Sequence, residues 1–460
     1  MKRRSLIGDR AFYQRLFAVM MPILIQNVIT NFVSLLDNLM VGQVGTEPMS
    51  GVAIVNQLLF VFNLCIFGGL AGPGIFTAQF YGKSDPEGIR DTFRAKLWVA
   101  FGAVLLFAAA LLLWGDGLIG LFLHEGGEGL SLEATLGYGR SYLRVMLLQM
   151  PLFALVQVYA GTVRETGETL LPMRAGIAAV LVNLVFNYLL IFGKLGLPAL
   201  GVTGAAIATV LSRVVECGVV VIWTHRHRDR AAYITGAWRS LRVPAALAKK
   251  IAVTGLPLLV NEVLWSAGMT THNQCYSVRG LEAVSATNIS STVFNLFLCF
   301  CFSMGNTVAI MIGQLLGAGE TERAVDEDRK LNAFSVVLGT AVGGLMALVA
   351  PLIPEWYNTT AAVKTLASQL LLVNAALLPF IAYTNVCYFT LRSGGNTLIV
   401  FLFDSAYIWL CCVSLAFVLS RFTALPLLPM YIAVQALELV KCAVGFFLVR
   451  SKKWVNNLVA

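Results

Sequence analysis

Residues 16–43 read "LFAVMMPILIQNVITNFVSLLDNLMVGQ". As a helix the stretch is long enough to cross a hydrocarbon layer, for which about 20 residues suffice. Yet Gln26, Asn27, Thr30, Asn31, Ser34, Asp37 and Asn38 recur along it every three to four residues. That spacing draws one continuous polar stripe down the helix. A lipid-facing surface cannot carry such a stripe, because polar groups in hydrocarbon need partners or water. The stretch is therefore expected to be a transmembrane helix whose polar side faces a wet or polar interior.

The rest of the chain agrees. Of its 460 residues 58% are apolar and only 12% charged, with a mean hydropathy of +0.78. A soluble domain of this length would carry far more charge. The expected fold class is all-α and polytopic, with spans at 16–43, 52–81, 96–123, 135–163, 171–193, 200–224, 251–279, 286–316, 331–353, 365–391, 398–420 and 427–450. No cleavable signal pattern follows the basic start "MKRRSLIGDRAFYQR". Most of the 33 basic residues fall at the two ends and in every second loop. The positive-inside rule then puts both termini in the cytoplasm of a multi-pass plasma (inner) membrane protein. The same loops account for the net charge of +9, so no nucleic-acid partner is expected.

The two halves repeat each other. At an offset of 235 positions Pro22 meets Pro257, Gly45 and Glu47 meet Gly280 and Glu282, Gln79 and Gly82 meet Gln314 and Gly317, and Arg94 meets Arg329. At 228, Arg164, Gly167 and Thr169 meet Arg392, Gly395 and Thr397. Six spans per half relate the halves by an axis along the membrane normal, an arrangement met in secondary transporters. The expected domains are residues 1–224, a cytoplasmic linker at 225–250, and 251–460.

The seventh span repeats the polar stripe with Asn261, Glu262, Ser266, Thr270, His272 and Asn273. Arg213 with Glu216, and Glu438 with Lys441, are opposite charges three apart and are expected to neutralise each other on their own helices. Asp37, Glu262 and Asp404 have no cation within a helical turn, and an unpaired carboxylate in a membrane span marks a functional site. His272 is a candidate beside them. Asn183 and Asn187 share one face of the fifth span and offer neutral oxygens and amide donors. Asn27, Asn31, Ser34, Asn38 and Asn273 are the expected cavity-lining residues.

Enzyme signatures are missing. "YGKSD" has Thr77 where a P-loop needs its first glycine. "HEGGE" lacks the second histidine of a zinc-hydrolase helix, and no GxSxG elbow occurs. The nine cysteines sit in apolar runs without metal spacing. Neither an enzyme nor a metal or organic cofactor is expected.

"LLDNLMVGQVG", "VRETGETLLPM", "NYLLIFGKLGLPALGVTGAAIATVLS" and "LRSGGNT" resemble the multidrug and toxic compound extrusion (MATE) family, and the resemblance covers essentially the whole chain. It implies two six-helix lobes exporting small organic cations or amphipathic compounds as a monomer, driven by inward H⁺ or Na⁺. Asp37 then matches the family's first-helix carboxylate, with Na⁺ an option there. Asn183 matches a fifth-helix asparagine, and Thr209 a sixth-helix threonine of the same site. At Asn187 one branch of the family carries aspartate instead. Glu262 resembles the seventh-helix glutamate of another branch, but the tenth span has no acid to pair with it, which leaves Asp404 as the substitute. The alternatives are a flippase for lipid-linked saccharides or a membrane scaffold without turnover.

Overall fold

A computed structural model describes residues 6–121 and 131–460, with all their side chains except those of Leu35, Asn38 and Leu39. The cavity position expected for Asn38 and most of the acidic "HEGGEGLSLE" loop therefore lie outside the described residues. Within the described residues the chain is helical without strands, and twelve helices are long and apolar enough to cross a membrane. They are α1 (Arg10–Gly42), α2 (Thr46–Gly82), α3 (Pro86–Gly120), α4 (Leu132–Glu165), α5 (Leu170–Phe192), α6 (Gly201–Arg226), α7 (Ala245–Ser277), α8 (Leu281–Gly317), α9 (Thr321–Val349), α10 (Ala361–Ser393), α11 (Thr397–Phe422) and α12 (Leu427–Arg450).

The internal repeat reappears in the helix bounds. α1 and α7 start and end 235 residues apart (Arg10 to Ala245, Gly42 to Ser277), and α2 and α8 do the same (Thr46 to Leu281, Gly82 to Gly317). Pro22 of α1 matches Pro257 of α7, and Pro151 of α4 matches Pro379 of α10. A proline removes one ladder hydrogen bond, which neighbouring helices make tolerable inside a membrane bundle. Local signals set several ends. Asp85 caps α3 by accepting from the Glu87 and Gly88 amides at 3.1 and 2.9 Å, with Pro86 in the first turn. Ser131 caps α4 through the Ala134 amide at 3.1 Å.

The chain packs into two compact units. The first comprises Ile25–Thr77 and Asp85–Ala252; the second comprises Ala78–Ser84, Val253–Ala460 and the described residues up to Leu24. The division thus runs through α1 and α2. Early α1 packs within the second unit, where Val19 and Ile23 meet Ile310 of α8 and Phe17 lies edge-on to Phe334 of α9.

The 225–250 connection is clipped along α3 in the first unit. Arg90 Nε donates to Tyr233 O at 3.3 Å, Arg94 donates to the carbonyls of Gly236 and Ala237 at 3.0 and 3.1 Å, and Trp98 Nε1 donates to Leu241 O at 2.9 Å. Four-residue spacing puts all three donors on one face of α3.

α11 departs from the regular helix expected at 398–420. It widens to π-turns over Leu402–Ala406 and Ile408–Val413. Such turns insert an extra residue per turn and often occur at functional sites.

Candidate cation and substrate sites

In the first unit α1, α5 and α6 bring Asp37, Asn183, Asn187 and Thr209 together. Asn187 Nδ2 donates to Asp37 Oδ1 at 2.6 Å. The polar network favours Asn183 with its amide nitrogen toward the carboxylate, 2.8 Å from Oδ1 and 3.1 Å from Oδ2. Thr209 Oγ1 lies 3.4 Å from the Asn183 amide and donates to Ala205 O at 3.0 Å. Helical spacing makes this possible: Asn183 and Asn187 are one turn apart, and both are buried.

The groups that hold Asp37 are neutral. Arg213 of α6 is paired with Glu216 at 2.5 Å, as the three-residue spacing leads one to expect. Asn187 Oδ1 is buried with no hydrogen-bond donor. An orphaned buried acceptor beside a carboxylate costs free energy unless a proton or cation reaches it. The oxygens of Asp37, Asn187 and Thr209 are the ligand type that a hard cation takes.

Two further side chains of the α1 stripe bond to the helix's own backbone. Asn31 Nδ2 donates to Asn27 O at 2.9 Å and Ser34 Oγ to Thr30 O at 3.0 Å, and Thr30, Asn31 and Ser34 are exposed. Nearer the start of the stripe, Arg164 donates to Gln26 Oε1 at 3.3 Å, while its Nε is buried without a partner.

The second unit holds its own polar chain. Tyr388 OH donates to Glu262 Oε1 at 3.3 Å, Asn261 Nδ2 lies 3.4 Å from Tyr388 OH and 3.1 Å from Asp404 Oδ2, and Lys441 Nζ donates to Asp404 Oδ1 at 2.8 Å. Asn261 is the hub. Its Oδ1 accepts from the Ser405 amide at 3.2 Å and from Ser405 Oγ at 2.7 Å. The π-turns of α11 present Asp404 and Ser405 to it, and Trp409 Nε1 fastens the next turn to Leu264 O at 2.9 Å.

Two expectations change here. Asp404 does have a cationic partner, on α12. Lys441 does not close on Glu438; that carboxylate accepts from Thr384 Oγ1 instead. A search within one helical turn sees only neighbours on the same helix, and the deciding contact runs between helices. Asp404 is thus half of an ion pair, whereas Glu262 is held by the Tyr388 hydroxyl, as Glu438 is by Thr384 and buried Asp328 by Thr390 at 2.6 Å. Tyr388 was not singled out in the sequence. Its signal is its place one turn before Arg392 on α10. His272 belongs to a different network, bonded to Tyr276 OH at 2.7 Å, while Tyr431 OH donates to Asn374 Oδ1 at 2.8 Å nearby. Asn273 is exposed.

The model of the MatE family matches residues 22–189 and again residues 257–422, once in each half. The chain belongs to the MatE family. It is a MATE transporter, a multi-pass membrane protein and not an enzyme. Curated relatives include a probable multidrug resistance protein NorM of Thermotoga maritima, 24% identical over 97% of this chain and 94% of its own length. The probable multidrug resistance protein YoeA of Bacillus subtilis is 23% identical over 96% and 94%. Among solved structures, an outward-facing multidrug resistance MATE family transporter superimposes with a TM-score of 0.86 at 20% identity, covering 97% of this chain and 96% of that one. A MATE in complex with MaL6 gives 0.85 at 20% identity over 97% of both chains. At this identity the structures establish the MATE fold.

Proposed function

We propose that this MATE transporter exports small organic cations or amphipathic compounds across the plasma (inner) membrane by antiport against H⁺ or Na⁺, with both termini cytoplasmic. The observation that carries the reading is Asp37, held by the neutral amides of Asn183 and Asn187 with a donorless oxygen beside it. A carboxylate so placed binds one positive charge at a time, either the substrate's or the coupling ion's. Coupling follows if the ion's arrival lowers the affinity for the substrate. It drives alternating access only if Asp37 meets different surroundings in the two states, since a ligand shifts an equilibrium by its differential affinity alone.

The names of the curated relatives support a multidrug cargo, and the acidic-to-neutral lining of the Asp37 site suits cationic or zwitterionic compounds over lipid-linked phosphates. Glu262 is the second candidate for coupling. Asp404 takes no part in ion exchange while Lys441 neutralises it.

The test is uptake of a fluorescent cationic dye into inside-out vesicles under an H⁺ gradient and, separately, a Na⁺ gradient. Accumulation under one gradient identifies an antiporter and its ion. Dye that only equilibrates under both contradicts the proposal.

A further inference from the structure

The residues after α12 are woven into a helix crossing. The ends of α2 and α8, equivalent in the repeat, meet backbone to backbone: a Cβ on Gly82 would sit 1.8 Å from Gln314 O, and a Cβ on Gly317 would sit 1.8 Å from Gln79 O. The contact is reciprocal and both positions admit only hydrogen. Gln79, which is fully buried, is bound almost entirely by the following chain. Its Nε2 donates to Asn456 O at 3.2 Å and to Ser393 O of α10 at 3.0 Å, and its Oε1 accepts from the Leu458 amide at 2.8 Å.

Further bonds surround this one. Lys83 Nζ donates to Val459 O, Asn457 Nδ2 to Gly317 O at 3.4 Å, and Asn456 Nδ2 to Gly394 O at 3.2 Å. Trp454 and Val459 are buried, and Gly394 lies so close that a Cβ there would meet Trp454 O at 1.7 Å. Gln314, the counterpart of Gln79 in the repeat, accepts from Arg15 at 3.3 Å.

We propose that residues 454–459 are a latch on this crossing, and that the transport cycle must release it. α2 is one continuous helix with residues 46–77 in the first unit and its end in the second. Any rearrangement that draws the end of α2 away from α8 must strip Gln79 of three hydrogen bonds in a buried place. A backbone contact of this kind is either made or broken, with no graded intermediate. The latch then sets the frequency with which the crossing opens. The inference rests on the alternating-access reading for its role in transport, and on the contacts alone for its existence.

The experiment is hydrogen–deuterium exchange on the reconstituted full chain, on a chain ending after Lys453, and on Gln79→Ala, with dye flux measured on the same samples. Gln79→Ala keeps the segment in place should the shortened chain fold poorly. The latch predicts about tenfold faster exchange at 78–84 and 313–319 in both variants, unchanged exchange in α5, and a dye flux raised about threefold because opening is easier. Unchanged protection at the crossing overturns the latch. Lost protection with unchanged or lower flux also overturns it, since the segment then only supports the fold. A wild type that moves no dye indicts the transport reading instead, and the exchange result alone then decides whether the crossing is latched.

Discussion

Lys441 Nζ sits 2.8 Å from Asp404 Oδ1 while Asn261 holds the other carboxylate oxygen at 3.1 Å, and both charged side chains are 13% exposed. The pair joins α11 to α12 and makes Asp404 a structural anion. Removing one partner of a buried pair leaves the other uncompensated, at a cost of about 3–5 kcal/mol. Lys441→Met is expected to lower thermal stability in detergent accordingly. The double variant Lys441→Met/Asp404→Asn is expected to regain much of the loss, as read by a thermal-shift assay. A single variant as stable as wild type would show that the pair does not anchor α11.

Asn261 tests the hub of the same network. Asn261→Leu strips Ser405 and Asp404 of partners in a buried place, and a stranded polar group costs about 1–3 kcal/mol. The expected result is a melting transition lowered to match, with increased exchange confined to α7 and the π-turns of α11. Destabilisation spread evenly over the chain would argue that α11 owes its widened turns to something else.

Asn187→Asp puts a second carboxylate against Asp37. Two carboxylates about 3 Å apart do not both stay charged without a cation or proton between them. The variant is therefore expected to melt lower than wild type in choline chloride and to recover in NaCl, while the wild type shows a smaller Na⁺ response. Equal melting in the two salts at every pH, with no gain in stability as the pH is lowered, would contradict a site at Asp37 that accepts Na⁺ or H⁺.

Gly82→Ala probes the α2–α8 crossing by sterics. The added methyl meets the Gln314 carbonyl, and with backbone on both sides neither can yield cheaply. Unlike loss of the strap, which eases opening but lets the crossing close again, the methyl keeps the two backbones from meeting at all. The closed half of the cycle is then lost, and dye flux is expected to fall about tenfold. Gly218→Ala on α6 is the control: its Cβ meets nothing within 4 Å, and a helix gains about 0.5–1 kcal/mol from alanine over glycine. Normal flux in Gly82→Ala would mean that the crossing tolerates separation.

The sequence made the spans readable because each is a long apolar run closed by polar or glycine-rich breaks. The repeat was readable because Pro22, Gln79 and Gly82 recur with their spacing intact at Pro257, Gln314 and Gly317. Asp37 stood out by its solvent alone, the four-residue spacing offered Asn183 and Asn187 beside it, and the resemblance matched Asn183 and added Thr209. Other features left no such trace. "FLFDSAYIWLCCVS" contains no glycine or proline to announce π-turns. Lys441 reads naturally as the partner of Glu438 until three helices are placed in space. The segment after Arg450 looks like a polar end of chain, and only the fold shows Trp454 and Val459 buried.

The proposed transport depends on the charge of Asp37. Wild type and Asp37→Asn, reconstituted side by side in proteoliposomes, are given a cationic dye and an imposed H⁺ or Na⁺ gradient. The isosteric amide keeps the shape of the site and removes its charge. The account predicts gradient-driven accumulation in wild type and a loss of about tenfold or more in Asp37→Asn, as befits a functional carboxylate in a membrane. Accumulation by the variant at the wild-type rate, under the same gradient, would contradict it.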